Sequence, residues 1–324
     1  MIKKNSSVTV LTATYNSQPY IHECITSVMG QTYPHWHMYV LDDGSTDNTV
    51  TIASNYAKQD SRITVVQFPH TGMTKLAERY NYALNSSEDE FVAILDGDDY
   101  WPSDKLETQM DVHENLDIAV TFGNAVEFTE SKSNQSFDLK TKQFLKSSED
   151  PYSLYVPLLE SRFVIPAVSV LIKKSYLMKI GGFKAIPDLP VCDFPTWLHL
   201  GIYGMKYIDK TLGYWRHTAS QTTWVDAHDV AYGMYKCVGE FVRENHIQAK
   251  IDSKARIRFM ADASYRKAVV LWKNQDYRLA RDAIKQVFKF RKLQNIDKYI
   301  KFLLMIGWNR IKNLLHLHFL RSEG

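Results

Sequence analysis

Apolar positions in the first 125 residues alternate between two periods. Val8-Thr9-Val10-Leu11 reads as a strand, and Tyr20 to Met29 then sets Ile21, Cys24, Ile25 and Val28 at helical spacing. His37-Met38-Tyr39-Val40-Leu41 is a second strand, and Thr46 to Ala57 follows with Val50, Ala53 and Ala57 on one helical face. Ile63-Thr64-Val65-Val66 predicts a third strand before a helix from about Thr74 to Leu84. Residues 91–95 predict a fourth, and a helix from Ser103 to Glu114 carries Asp104 and Glu107 in its first turn, where the helix dipole favours them. Strand and helix alternating at this pitch predict βαβ units and a mostly parallel sheet flanked by helices. Ligands of such sheets bind beyond the carboxyl ends of the strands.

The pattern changes further along. Residues 129–150 are rich in Ser, Lys and Asp and show little periodicity, which predicts an irregular surface loop. Val168 to Ile172 reads as another strand, Gly181-Gly182-Phe183 as a turn, and 194–204 as a helix that tolerates Pro195 in its first turn. From about 228 the chain reads as helical to its end. Tyr277, Ala280, Ala283, Ile284 and Val287 form one stripe, without a tandem repeat. The expected organisation is an α/β domain over residues 1–222 and a helical extension over 223–324.

Charge sharpens that division. Residues 1–242 hold 20 Lys and Arg against 29 Asp and Glu, net −9, whereas residues 243–324 hold 19 against 7, net +12. A basic tail on an acidic body suits phosphate, whether of lipid headgroups or nucleic acid. No recognised nucleic-acid module accompanies it, so nucleic acid is not expected as a partner. Residues 298–320 mix Ile300, Phe302, Trp308 and Leu314 with Lys301, Arg310 and Lys312, a basic amphipathic pattern. It suits either a bilayer interface or packing on the first domain or a second subunit. Cys24, Cys192 and Cys237 are too scattered for a disulfide framework or a zinc site. The scattered cysteines suit a reducing compartment, and no secretory signal or 18-residue apolar run is apparent, so a cytoplasmic location is expected, with peripheral contact on the inner membrane face under the bilayer-interface reading of the tail.

The chemistry concentrates at strand ends. Phe91-Val92-Ala93-Ile94-Leu95 runs into Asp96-Gly97-Asp98-Asp99, three carboxylates in four positions. Carboxylates so dense repel one another unless a cation lies among them. A solvated acidic loop is the plainer alternative. Two further strand ends, Ala13-Thr14-Tyr15-Asn16 and Asp42-Asp43-Gly44-Ser45, should be neighbours in the sheet. Tyr15 can stack on a base, and Asp43 can accept from an imide N–H or a ribose hydroxyl. Helix capping in the turn is the competing reading for the Asp42-Asp43 pair.

Taken in order, Ala13-Thr14-Tyr15-Asn16, Asp42-Asp43-Gly44-Ser45 and Leu95-Asp96-Gly97-Asp98-Asp99 followed by Lys105-Leu106 resemble the motifs of family 2 glycosyltransferases over roughly residues 6–220. The resemblance implies a GT-A fold and an inverting enzyme that uses Mn²⁺ or Mg²⁺. By it, Ala13, Thr14, Tyr15 and Asp43 match nucleoside-binding positions, and Gly72, Lys75 and Arg79 fall where the family approaches the nucleotide. There the usual Ala-Arg-Asn arrangement reads Ala77-Glu78-Arg79-Tyr80-Asn81, a loose match. Asp96 and Asp98 match the DxD pair around Gly97, with Asp98 the direct metal ligand and Asp96 nearer the ribose.

Inverting transfer needs one base for the acceptor hydroxyl. Asp193, in Val191-Cys192-Asp193-Phe194-Pro195, stands at a helix entry among apolar neighbours that would raise its pKa; an N-cap is the compatible alternative. The family carries a Glu-Asp pair here, and Cys192 replaces the Glu. Arg216 and His217 lie where family members often contact the diphosphate, against the alternative of a water-exposed sheet-edge pair. The sequence therefore predicts a metal-dependent glycosyltransferase moving a sugar from a nucleotide sugar, expected to be a UDP-sugar, to a saccharide or lipid-linked acceptor in surface polysaccharide synthesis. A homo-oligomer is compatible with the helical tail. The rival readings are a non-catalytic nucleotide-binding scaffold and a sugar nucleotidyltransferase; the latter would open on a Gly-rich basic loop that Thr14-Tyr15-Asn16-Ser17 is not.

Overall fold

A computed structural model describes residues 6–129, 132–136, 145–146, 148–159, 163–185 and 192–218, with isolated positions at 237, 238, 241, 271, 276, 278–282 and 285. Strands β1 (Val8–Thr14), β2 (Trp36–Asp42), β3 (Ile63–Gln67) and β4 (Phe91–Ile94) alternate with helices α1 (Ile21–Met29), α2 (Thr49–Ala57), α3 (Leu76–Ser86) and α4 (Lys105–Asn115). Then come β5 (Val120–Thr129), β6 (Lys132–Ser136), α5 (Tyr155–Leu159), β7 (Leu171–Lys173), α6 (Lys174–Lys179), α7 (Asp193–Leu200) and β8 (Met205–Arg216). The sheet runs β3-β2-β1-β4-β7-β5-β6, with β8 also paired to β5.

The strands are parallel except β7, which opposes β4 and β5, and β6, which opposes β5. From β1 the chain winds outward through β2 to β3 and then returns to β4 on the other side of β1. That reversal opens a crevice at the carboxyl ends of β1 and β4, where doubly wound sheets bind ligands.

Both faces of the sheet are covered. Val8 and Val10 point to a layer built with Ile21, Ile25, Ala53, Leu106 and Met110 from α1, α2 and α4. Leu11 points the other way, to Leu76, Tyr80, Leu84, Leu158, Trp197 and Leu198 from α3, α5 and α7. Covered on both sides, β4 is buried at every position, which is why it reads as an unbroken apolar run. Lys105 is fully buried on α4, its Nζ donating to Gln109 Oε1 (2.7 Å) and Val170 O (3.0 Å) and lying 4.2 Å from the Trp101 ring centroid. Burial pushes its pKa well down. The residue ties α4 to Val170, at the entry of the reversed strand β7.

The structure departs from the sequence reading in four places, the first being the helix expected over 194–204, which ends at Leu200 before a 3-10 turn over Gly201–Tyr203. The loop expected over 129–150 contains β6, whose backbone pairs Val126 with Ser136 and Glu127 with Gln135, and Leu145 is buried. Backbone pairing at a sheet edge leaves no apolar alternation to read. The strand expected over 168–172 begins only at Leu171, because the Ser169 N–H and hydroxyl both donate to Pro166 O and fold Ala167–Ser169 into a 3-10 turn. The helix expected from Thr46 begins at Thr49, where Asp47 Oδ1 accepts the Thr49 N–H at 2.9 Å.

Beyond residue 222, Cys237, Val238 and Phe241 join the cluster that holds Trp197 and Leu158, and the Phe241 ring lies 4.7 Å from His199. The basic stripe over 298–320 lies outside the described residues, as does most of the stripe around Ala280. Among the described residues no helix is long and apolar enough to cross a membrane.

Candidate active site

The crevice is built from loops that bind one another. Asn16 adopts a left-handed backbone (φ 48°); its N–H donates to Ser45 Oγ (2.8 Å) and its side-chain oxygen accepts the Thr46 N–H (2.8 Å), tying the ends of β1 and β2 together. Asp42 caps its own turn by accepting the N–H groups of Gly44 and Ser45 at 3.0 and 2.9 Å. Neither N–H belongs to α2, which begins at Thr49, so Asp42 closes the strand-end turn and caps no helix. Asp43 points elsewhere. Its Oδ1 accepts the Thr71 N–H (2.9 Å) and a bond from Arg79 Nη2, and its Oδ2 accepts the Gly72 N–H (2.9 Å).

That carboxylate shapes the 70–72 loop into one wall of a slot. His70 Nδ1 donates to Asp43 O at 2.9 Å and sits 3.2 Å from Asp43 Oδ2. The His70 ring stacks on Tyr15 at 4.2 Å and 20°, and Tyr15 remains 45% exposed, so an aromatic face is open beside the loop. Arg79 is buried against Asp43, whereas Lys75 pairs with Glu78 at 2.5 Å on the helix exterior. Of the segment around 72–79, Arg79 and Gly72 join the slot and Lys75 turns away. His70 carried no periodic or motif signal in the sequence.

The acidic turn lies directly beside this slot. The Gly97 N–H donates to Ala13 O at 2.9 Å, and a Cβ at Gly97 would lie 2.7 Å from Thr14 Oγ1. Thr14 Oγ1 is itself buried without a hydrogen-bond partner among the described residues. Asp96 Oδ1 accepts from the Tyr80 hydroxyl at 3.1 Å. Burial, with Asp98 and Asp193 nearby, pushes Asp96 up to about 7 despite that bond. Asp98 and Asp99 are also held above the usual carboxylate range, chiefly by burial, although Arg216 opposes both shifts.

Arg216 enters from the end of β8 as the clasp of this turn. Its backbone N–H donates to Asp99 Oδ1 and its Nε to Asp98 O, both at 2.8 Å, while Nη2 pairs with Glu23. Its guanidinium is sandwiched between the rings of Tyr20 (4.7 Å) and Phe128 (4.5 Å). The exposed sheet-edge alternative therefore fails for Arg216. His217 pairs with Glu127 at 2.9 Å.

Asp193 is the first residue of α7, its Oδ1 accepting the Phe194 N–H at 2.7 Å. Burial raises its pKa. Burial also pushes up the Cys192 thiol, so this residue supplies no second negative charge beside Asp193.

Among the described residues, no three His, Cys, Asp or Glu groups gather closely enough to cage a metal alone. The donor set nonetheless suits a hard divalent cation. Asp96 and Asp98 are half-buried carboxylates, Asp96 raised first by burial and then by Asp98, and they would supply oxygen ligands whose coordination a diphosphate would complete. Folding raises these pKa values above the unfolded ones, so their favourable contribution exists at low pH and is lost as pH climbs through about 7 for Asp96. Without metal, the melting temperature should fall between pH 5 and pH 8, and Mn²⁺ should restore more at pH 8 than at pH 5. A thermal scan of the protein and of Asp96→Asn checks this. An equally steep slope in the variant would contradict it.

A mostly parallel sheet with helices on both faces and a switch point between β1 and β4 is the architecture of the GT-A fold. The sequence agrees: residues 9–176, just over half of the chain, match the Glycosyl transferase family 2 description, and the chain belongs to that family. TuaG of Bacillus subtilis (strain 168), a glycosyltransferase assigned to teichuronic acid biosynthesis, is 40% identical over 115 residues, which are 36% of this chain and 45% of that protein. WfgD of Escherichia coli, a UDP-Glc:alpha-D-GlcNAc-diphosphoundecaprenol beta-1,3-glucosyltransferase, is 32% identical over 125 residues, again 36% and 45%. The match thus spans less than half the length of either relative. In fold, the chain is similar to S. aureus TarS 1–349 in complex with UDP-GlcNAc (TM-score 0.55, 16% identity, 89% of this chain and 93% of that one). It is equally similar to the Pyrobaculum calidifontis mannosyltransferase PcManGT in complex with GDP-Man and Mn²⁺ (TM-score 0.55, 17% identity, 96% and 81%).

Proposed function

We propose that this chain transfers a glycosyl group, with inversion, from a UDP-sugar to a hydroxyl of a saccharide or lipid-linked saccharide during surface polysaccharide synthesis. The observation that carries the reading is the convergence of two carboxylate-bearing segments on α3: Tyr80 bonds Asp96 of the acidic turn, while the next residue, Asn81, bonds both backbone groups of Phe183, ten residues before Asp193 at the head of α7. Cation-holding carboxylates on the donor side and a base on the acceptor side would suit an in-line displacement. The names of TuaG and WfgD support the pathway, and the UDP-GlcNAc complex of TarS supports the donor class.

In this reading the base stacks on Tyr15 beside His70, while Arg79 and Asp43 hold the 70–72 loop against the nucleoside. Asp98 and Asp96 would hold the divalent cation, which when bound neutralises charge on the diphosphate. Asp193 takes the proton of the acceptor hydroxyl as its oxygen attacks C1 from the face opposite the diphosphate; the C1–O bond breaks and UDP departs. Cys192 leaves Asp193 without an adjacent carboxylate, so one proton acceptor serves the acceptor side. Residues 1–222 would contain all of these groups, with 223–324 docking through Cys237, Val238 and Phe241.

Release of UDP from UDP-glucose or UDP-GlcNAc in the presence of Mn²⁺ tests the assignment. Pyrophosphate release from a sugar 1-phosphate and UTP would instead make it a nucleotidyltransferase, and no turnover with intact UDP binding would make it a scaffold. In the same assay Tyr15→Ala should weaken UDP binding roughly tenfold or more, since base stacking on an aromatic is worth about 1–3 kcal/mol. Unchanged affinity by calorimetry would remove Tyr15 from the slot.

A further inference from the structure

Arg79, Tyr80 and Asn81 are consecutive on α3, so their side chains leave the helix about 100° apart. Each meets a different wall of the crevice. Arg79 binds Asp43 and, at 2.5 Å, Thr71 Oγ1 on the nucleoside wall. Tyr80 binds Asp96 in the acidic turn. Asn81 faces the opposite loop, where its Nδ2 donates to Phe183 O (3.0 Å) and its Oδ1 accepts the Phe183 N–H (2.8 Å).

Two bonds to one residue's backbone fix both its position and its rotation. The loop fits that amide closely. Gly182 adopts φ +84°, and a Cβ there would lie 2.3 Å from Asn81 Oδ1. From the clasped residue a chain of bonds leads to the base. The Lys184 N–H donates to Thr196 Oγ1 (2.9 Å), and the buried Thr196 hydroxyl donates to Cys192 O (2.5 Å), the residue before Asp193. The rings of Tyr80 and Phe183 close the gap at 5.1 Å.

We infer that Asn81 is a positioning residue: through Phe183, Lys184 and Thr196 it holds α7, and with it Asp193, in register with the donor-side Asp96. This rests on the reading of Asp193 as the base. Asn81 needs no contact with substrate in this role. Because Tyr80 and Asn81 share one turn of helix, donor and acceptor walls are referenced to a single rigid body.

The test uses the full chain, UDP-glucose and UDP-GlcNAc as donors, and UDP with Mn²⁺ as the binding probe. Asn81→Ala should slow UDP release by about 10- to 100-fold, the scale of a small misplacement, while UDP affinity stays within about threefold of wild type. Asn81→Asp keeps the acceptor for the Phe183 N–H but sets a carboxylate oxygen against Phe183 O, so its rate should fall at least as far as that of Asn81→Ala. Hydrogen exchange should quicken in residues 192–200 and stay unchanged in residues 8–14. If Asn81→Ala does not fold, Thr196→Val should reproduce the split and Thr196→Ser should recover it. Loss of UDP affinity in step with turnover, or wild-type exchange over 192–200, would overturn the inference. Should the wild type release no UDP from any UDP-sugar, the catalytic reading fails. The exchange measurement, which needs no substrate, then still decides whether Asn81 holds α7.

Discussion

Asp193→Asn is expected to lower glycosyl transfer by about 10²- to 10⁴-fold, the usual contribution of a positioned general base, with UDP affinity left within about twofold. The substitution keeps the side-chain oxygen that accepts the Phe194 N–H, so the helix entry survives and only proton uptake is lost. The pH profile gives a second handle. A base works only when deprotonated, and burial raises the Asp193 pKa; wild-type activity should therefore climb with pH through a midpoint above the ordinary carboxylate value. The variant should lack that limb. Transfer at wild-type rate, or a variant profile with the same acid limb, would take Asp193 out of the role.

Asp98→Ala carries the second large effect, in the acidic turn. It removes one of the two half-buried carboxylates proposed to face the diphosphate while keeping the Arg216 Nε bond to the residue 98 carbonyl and the Arg216 N–H bond to Asp99. The turn should therefore persist without its ligand. Calorimetry should show UDP binding that no longer responds to Mn²⁺, with turnover falling below about 10⁻² of wild type, as expected when charge stabilisation at a leaving group is lost. Mn²⁺-dependent UDP affinity equal to wild type would refute Asp98 as a ligand. Removing the cation from the wild type with a chelator should reproduce the variant.

Much of this was legible in sequence because the relevant physics is local. β4 is apolar at every position since helices cover both its faces, and the acidic turn follows it in the chain. α3 and α7 kept their 3.6-residue period. What escaped is non-local. The roles of His70, Tyr80 and Asn81 depend on loops brought from elsewhere in the chain. Arg216 was noted, yet its duty as a clasp on Asp98 and Asp99 depends on a partner 117 or 118 positions away. The reversed direction of β7 was equally silent, because side-chain alternation is the same whichever way a strand runs.

The fan of three neighbouring side chains on α3 has a consequence for how this enzyme can diversify. Inserting or deleting a single residue upstream in that helix would turn the trio by about 100°, and each wall would be offered the wrong partner at once. Point changes there are survivable in principle, but changes of length are not. Lineages and laboratory libraries that keep the fold should thus conserve the number of residues between Gly72 and Asn81.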